Sequence, residues 1–300
     1  MDVRLHPGWF RRVRERPVNH SQSVKTIYNA PMSPLELKPK AVAFDLDETL
    51  GSFSDLYIIW SSVRKEMKTQ KTFNELMDLY PEFLRIGIIP ILDFLKSKIV
   101  SGHCLPIFIY TNNQCEDPSW VERIISYLES RVSNYSTSPV QLFARPIRAF
   151  KICNARVEPN RTTHEKTYKD FIRCSMLKHT DLCFVDDASH EKMKRKRVYY
   201  IQPPPYFHIL SQKEINDRLV KSDVLKAKAF DKMPDFDVAV DGGGREDRQK
   251  IKHAFAKHSQ EIANKMMYYA REFFFVSIRR CVTKKCDYKI GRFSRKKRRI

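Results

Sequence analysis

The feature that most constrains this chain is a set of three short apolar runs, each ending abruptly in polar residues. Residues 41–45 (AVAFD) lead into Asp47, Glu48 and Thr49; residues 105–110 (LPIFIY) lead into Thr111, Asn112 and Asn113; residues 182–185 (LCFV) lead into Asp186 and Asp187. A continuous apolar run of this length suits a parallel strand buried on both faces. Between the runs, apolar residues recur at helical spacing. They include Leu56, Ile59, Trp60 and Val63 within 54–85, and Ile91, Leu92, Phe94 and Leu95 ahead of Gly102. A further set, Trp120, Val121, Ile124, Ile125 and Leu128, follows the helix-start signal Asp117-Pro118-Ser119. Residues 164–177 read as another helix, and 141–151 and 198–201 (VYYI) as further strands, the last halted by the prolines at 203–205. Strands alternating with helices predict an α/β domain with a mainly parallel sheet over about 41–210.

Charge divides the 300 residues differently. The formal net charge is +20, but residues 41–241 hold 29 Lys/Arg against 27 Asp/Glu and are nearly neutral. Residues 1–40 hold 8 basic against 3 acidic residues, and 242–300 hold 18 against 5. The first segment, with four prolines in 17–40 and few periodic apolar residues, is expected to be a basic irregular arm. Residues 211–244 read as a linker ending in a glycine hinge at 242–244. Beyond it, Ile251, Phe255, Ile262, Met266, Tyr269, Phe273 and Val276 recur at spacings of 3, 4 and 7, so 245–300 is expected to be an amphipathic helix followed by a basic tail. Its apolar face suits either docking on its own domain or binding a partner or membrane surface. The tail, 286–300, ends in RKKRR and an isoleucine and suits contact with nucleic acid or an acidic protein, or nuclear import.

No apolar run approaches the ~18–20 residues that span a bilayer, and the basic first residues do not resemble a secretory signal. No transmembrane segment is therefore expected. Seven cysteines without paired metal-ligand spacing fit reduced thiols in an intracellular compartment, nucleus or cytoplasm.

In an open parallel sheet, ligands bind beyond the carboxyl ends of the strands. The three polar clusters, 66 and 75 residues apart, are therefore expected to converge. Such a set suits phosphoryl transfer through a covalent intermediate. One carboxylate attacks phosphorus, and a second, two residues later and on the same side, exchanges a proton with the leaving oxygen. A hard divalent cation, Mg²⁺, takes oxygens from the first carboxylate and the Asp186/Asp187 pair. A hydroxyl and an amide at 111–112 donate to phosphoryl oxygens, and a lysine neutralises the remaining charge.

The stretches AFDLDETL at 43–50, IFIYTNN at 107–113 and CFVDDASH at 183–190 resemble the first, second and fourth motifs of the haloacid dehalogenase (HAD) superfamily, and within it the FCP/SCP-type, or NLI-interacting-factor-like, phosphatases. The resemblance covers about 41–210. It implies a Rossmannoid three-layer α/β/α domain with a small helical insert at 51–90. Asp45 is the implied nucleophile and Asp47 the acid/base, with its backbone carbonyl on Mg²⁺. Thr111 binds phosphate, with Asn112 and Thr49 assigned beside it. Asp187 is the preferred metal ligand of its pair and Asp186 the alternative. The motif lysine is Lys166 or Lys169, with Lys166 preferred because it sits nearer the start of its helix while Lys169 falls on a solvated face.

The sequence departs from the family at Gly51-Ser52, where V-H is usual, and at Thr111-Asn112-Asn113, where T/S-A-S is usual; both variants look like those encoded by large DNA viruses, including iridovirus-like ones. The small insert implies a lightly covered site suited to a phosphoprotein, with phosphoserine or phosphothreonine on an RNA polymerase II C-terminal-domain-like tail as the family expectation. The basic ends motivate two other readings: a phosphatase of nucleic-acid ends, or a HAD-derived structural or virion component. Lys192, Lys194, Arg195, Lys196 and Arg197 form a loop that is either solvated or attracts an anionic substrate. His103, His164 and His190 are expected to be ordinary polar residues, and 273–275 (FFF) to be buried.

Overall fold

The computed structural model describes residues 39–133, 140–222 and 245–286. The arm up to residue 38 and the RKKRR tail lie outside them. In chain order the elements are β1 (Ala41–Phe44), α1 (Phe53–Ser62), α2 (Gln70–Leu79), α3 (Ile88–Val100), β2 (Phe108–Ile109), α4 (Trp120–Arg131), β3 (Lys151–Ile152), β4 (Ala155–Arg156), α5 (Tyr168–Ser175), β5 (Leu182–Val185), β6 (Val198–Gln202), α6 (Gln212–Lys221), α7 (Arg245–Phe275) and β7 (Val282–Lys285). Five strands form a parallel sheet in the order β2-β1-β5-β6-β7, and β3 and β4 form a separate antiparallel pair.

Side chains of the sheet alternate between two cores, as the two-residue period of a strand requires. Val42 and Phe44 of β1, Cys183 and Val185 of β5, and Tyr199 and Ile201 of β6 enter a large core with residues of α1, α2, α3, α4, α6 and α7. Ala41, Ala43, Leu182, Phe184, Val198 and Tyr200 face the other way, onto Phe171 of α5, Ile147 and Met193. The fold is therefore α/β in three layers of unequal thickness. Both faces of the sheet are covered, which is why the strand runs are continuously apolar. The insert at 51–90 is absorbed into the thick layer, where Trp60 of α1, Phe73 of α2 and Trp120 of α4 pack against one another.

The carboxy-terminal region is part of this fold. The stripe Ile262, Ala263, Met266, Ala270 and Phe273 of α7 is buried, so the apolar face docks on its own domain. Gly87 makes this possible, because a Cβ at that position would come within 2.5 Å of the Ala263 Cβ. Lys40 then closes the far end: its Nζ donates to the carbonyls of Phe273 and Val276, each at 2.6 Å. A cation at a helix carboxyl end satisfies orphan carbonyls and opposes the helix dipole.

Several expectations are corrected. Residues 282–285 (VTKK), expected within the helix-and-tail segment, form the fifth strand on β6. The expected linker 211–244 holds α6 at its start, with a reciprocal Ser211–Glu214 capping box and buried Ile215 and Leu219; 223–244 lie outside the described residues. The strand expected over 141–151 is reduced to single bridges from Phe143 to Ile107 and from Ile147 to Tyr110, interrupted by Pro146, which has no N–H for a ladder. The helix expected over 164–177 is shortened to α5, because Thr167 accepts the Asp170 N–H and starts it there. Of the three phenylalanines at 273–275, Phe273 is fully buried, but Phe275 is 86% exposed. No helix among the described residues is long and apolar enough to cross a membrane.

Phe273→Ala is expected to cost roughly 3–5 kcal/mol, whereas Phe275→Ala should stay within about 0.5 kcal/mol of the parent. Urea denaturation of the two variants checks the assignment of α7 to the core.

Candidate active site

The carboxyl ends of β2, β1 and β5, three neighbours in the sheet, deliver Thr111, Asp45 and Asp186. The register Phe44–Ile109 and Phe44–Val185 sets these ends side by side. Connections from β1 run first to one neighbour and later past it to the other, so β1 is the topological switch point where open sheets form a crevice. Lys166, just before the Thr167 cap of α5, joins two of the acids. Its Nζ lies 2.5 Å from Asp45 Oδ1 and 2.7 Å from Asp186 Oδ2, and its side chain is 3% exposed. Asp45, Asp186 and Asp187 each offer an oxygen, all within 4.8 Å of one another. This acidic triad can hold a metal ion. Lys169 is exposed on α5.

The surrounding hydrogen bonds orient the remaining groups. Asn113 Nδ2 donates to both oxygens of Asp47, at 3.1 and 2.9 Å. Its Oδ1 accepts the Cys115 N–H, which fixes the amide with its NH₂ end toward Asp47. The Asn113 backbone N–H donates to Thr111 Oγ1 at 2.9 Å, so the Thr111 hydroxyl keeps its own proton to donate elsewhere. Asn112 Oδ1 accepts from Arg161 Nη2 at 2.7 Å, again leaving the NH₂ end as the donor. Arg161 is fully buried and also donates to the carbonyls of Thr111, Arg148 and His164.

Thr49 is tied to Asp187. Its hydroxyl donates to Asp187 Oδ1 at 2.9 Å and accepts the Asp187 N–H at 3.0 Å, so it positions an acid of the triad. Asp186 has both oxygens engaged, one by Lys166 and by His190 Nε2 at 3.3 Å, the other by the Ala188 N–H. His190 is thus part of the site's edge, contrary to expectation. Of the basic loop that follows, Lys192 pairs with Glu165, Lys194 with Glu191 and Arg197 with Asp181.

The loop after β1 is held rigidly. Buried Arg85 donates from Nε to the Thr49 carbonyl at 2.5 Å and from Nη2 to those of Glu48 and Pro204 at 2.6 and 2.8 Å. Glu48 lies in the left-handed region at φ 57°, with its carbonyl also accepting the Tyr206 N–H. The departure at Gly51 has a local cause: a Cβ there would meet the Phe83 carbonyl oxygen at 2.5 Å.

Burial dominates the electrostatics. It pushes the Asp45 carboxyl well above the ordinary range, with Lys166 opposing. Burial also raises Asp47 to about 6 against the Asn113 hydrogen bond, and Asp187 with help from Asp186. Glu48 rises to about 8 through burial and the nearby Asp47. Asp186 goes the other way: burial would raise it, but Lys166 and His190 together hold it low. Burial likewise works against the Lys166 ammonium, and Asp45 and Asp186 more than offset it. Four carboxylates crowd around this ammonium, and hard oxygen donors in such surplus suit a divalent cation.

Asn113, Arg161, Arg85 and His190 were not among the expected site residues. Asn113 was visible in the T-N-N run, whereas a buried arginine carries no sequence mark that separates it from a surface one. No family model matches the chain, and no curated protein or solved structure matches it.

Lys166→Met should lower stability by roughly 3–5 kcal/mol in chelator, since it leaves buried carboxylates without their cation. A divalent cation should restore more stability to this variant than it adds to the parent, read by denaturant melts with and without the ion. Because Asp45, Asp47 and Asp187 all hold protons more tightly than ordinary carboxylates, protons compete with the cation. Its affinity should fall as pH is lowered through the raised values of the ligands Asp45 and Asp187, above the ordinary carboxylate range, with protons released on binding. Isothermal titration in buffers of different ionisation enthalpy measures both.

Proposed function

We propose that the chain is a Mg²⁺-dependent phosphatase that works through an aspartyl-phosphate on Asp45 and acts on phosphoserine or phosphothreonine in a protein tail such as that of RNA polymerase II. The observation that carries this reading is Lys166 bridging Asp45 and Asp186 at the ends of adjacent parallel strands, with Thr111 on the third. The resemblance of the three motifs to HAD phosphatases of FCP/SCP type supports the same roles.

The donor set fits Mg²⁺, since Asp45, Asp186 and Asp187 offer only carboxylate oxygens. Asp187 shares one oxygen with Thr49, whereas Asp186 uses both, so Asp187 is the better ligand of the pair. When bound, the ion offsets the repulsion between an anionic carboxylate and an anionic phosphoryl group.

The residues of the chain supply the rest. A carboxylate oxygen of Asp45 forms a bond to phosphorus as the bond to the leaving oxygen breaks. Asp47, which Asn113 aims by both oxygens, gives its proton to that leaving oxygen. Its elevated value of about 6 keeps a proton within reach near neutral pH. The same carboxylate then takes a proton from the water that attacks phosphorus, which releases phosphate and restores Asp45. The Thr111 hydroxyl and the Asn112 amide donate to the phosphoryl oxygens, and Lys166 neutralises charge beside the nucleophile.

The substrate class follows from the cover over the site. Phe53, Leu56 and Trp60 of the insert are buried in the helical layer, so this segment contributes packing and not an enclosing cap. A site without an enclosing cap from this segment suits a side chain on a macromolecule better than a free metabolite.

The test is turnover of an aryl phosphate, a phosphoserine peptide and a 3′-phosphorylated oligonucleotide, with Mg²⁺ and with chelator. Mg²⁺-dependent hydrolysis that favours the peptide is expected, and Asp45→Asn should abolish it while the circular dichroism spectrum stays unchanged. Asp47→Asn should slow peptide hydrolysis by roughly 10²–10⁴-fold but affect the aryl phosphate far less, because a phenolate leaves without a proton. Undiminished turnover in Asp45→Asn would reject the nucleophile, and faster turnover of the oligonucleotide would reject the protein substrate.

A further inference from the structure

Two basic turns that lie 84 residues apart in sequence meet at the amino ends of β6 and β7. Tyr199 is registered against Val282 and Gln202 against Lys285. Residues 194–197, which lead into β6, therefore run beside residues 279–281, which lead into β7. The neighbourhood is close enough for the Cys281 thiol to hydrogen-bond the Arg195 backbone and to sense the charge of Lys194.

Arg195, Lys196, Arg279 and Arg280 are all exposed there. Among the described residues, none of the four has a carboxylate at ion-pair distance, because the nearby acids are already engaged. Glu191 is paired with Lys194, Asp181 with Arg197, and Glu272 with Lys284. The end of α7 leads into this turn, four residues before Arg279. Arg271 is exposed, and Tyr268 and Phe275 stand 63% and 86% exposed, two turns or ~10 Å apart on one face of the helix. Lys40 anchors this helix end to the start of β1.

The chemistry of the patch narrows its partner. Guanidinium groups suit the paired oxygens of phosphate, and solvent-facing rings on the helix that leads to them suit unstacked bases. An acidic peptide would use the charges but not the rings. We infer that this end of the molecule is a binding surface for single-stranded nucleic acid, with Arg195, Lys196, Arg279 and Arg280 on phosphates and Tyr268 and Phe275 under bases. It lies at the opposite end of the strands from the acidic triad and uses none of its residues, so it stands whether or not the chain is a phosphatase.

The test is fluorescence anisotropy of a labelled single-stranded oligonucleotide with the full chain, titrated at several salt concentrations. Replacing all four basic residues by Gln should reduce the slope of log affinity against log salt by about three, at about 0.7 per neutralised phosphate contact on a single strand. Tyr268→Ala and Phe275→Ala should each lose roughly tenfold in affinity for the single strand and little for a duplex of the same sequence. Thermal melts of these surface variants should match the parent, and the salt slope of the parent itself should exceed that of a chain with 295–299 neutralised by Gln. Affinity and slope unchanged in the quadruple variant, with binding lost only on neutralising 295–299, would overturn the surface in favour of the tail. Stronger binding to phosphatidylserine vesicles than to the oligonucleotide, lost in the Phe275→Ala variant, would overturn it in favour of a membrane.

Discussion

The ammonium of Lys166 between Asp45 and Asp186 is the interaction on which the candidate site depends. Burying carboxylates without a cation is strongly unfavourable, and here burial alone would push Asp45 and Asp186 toward their neutral forms. Lys166 holds Asp186 ionised and partly offsets the burial of Asp45, and in return the two acids keep the lysine charged in a place where burial would discharge it. The arrangement is also directional. Asp186 spends both oxygens on Lys166, His190 and the Ala188 N–H, while Asp187, tied once to Thr49, retains an oxygen facing the triad. One buried cation therefore sorts chemically identical carboxylates into different states.

The supporting structure explains why these groups stay in place. Arg85 gathers the carbonyls of Thr49, Glu48 and Pro204, and Arg161 gathers those of Thr111, Arg148 and His164. Each guanidinium ties the loop after one strand to a segment distant in sequence. Such groups satisfy carbonyls that the strand ends would otherwise leave unpaired. The loops at the carboxyl ends are thus fixed by buried hydrogen bonds as well as by apolar residues such as Leu46 and Leu50, while apolar packing fixes the strands beneath them.

This division explains what could be read in advance. The runs at 41–45, 182–185 and 198–201 were legible because burial on both faces leaves a continuous apolar signature. Asp45, Lys166, Thr111 and the Asp186/Asp187 pair were legible because each follows such a run or fits the spacing of a known motif. β7 was not, because VTKK alternates half-buried and exposed positions and its pairing partners lie 83 residues earlier. The start of α6 carried a readable S-x-x-E capping signal at 211–214, but only two of its residues are buried apolars, so periodicity alone passed over it. The link from Thr49 to Asp187 was not legible for a different reason. A hydroxyl two residues beyond Asp47 can serve a phosphate or a neighbouring carboxylate, and only the placement of Asp187 shows the second. Arg85 and Arg161 act through backbone carbonyls, which every residue possesses, so no pattern of side chains announces them.

The distribution of charge completes the physical picture. The charge is unevenly placed: the carboxyl ends of the strands gather four carboxylates around Lys166, and the amino ends of β6 and β7 gather Arg195, Lys196, Arg279 and Arg280, which have no carboxylate at ion-pair distance among the described residues. The two groups are separated by the length of the strands, at most five residues or about 16 Å, roughly twice the ~8 Å over which exposed charges act strongly at physiological salt. Neutralising the acids internally would have required basic residues inside the crevice, where they would occupy the space a cation or a phosphoryl group needs. Placing exposed positive charge at the opposite end leaves the crevice with a surplus of carboxylates, Asp45, Asp186 and Asp187, that could hold a metal ion. Folding α7 and β7 onto the domain is what makes this possible, because they carry that charge to the sheet's far end and hold it there.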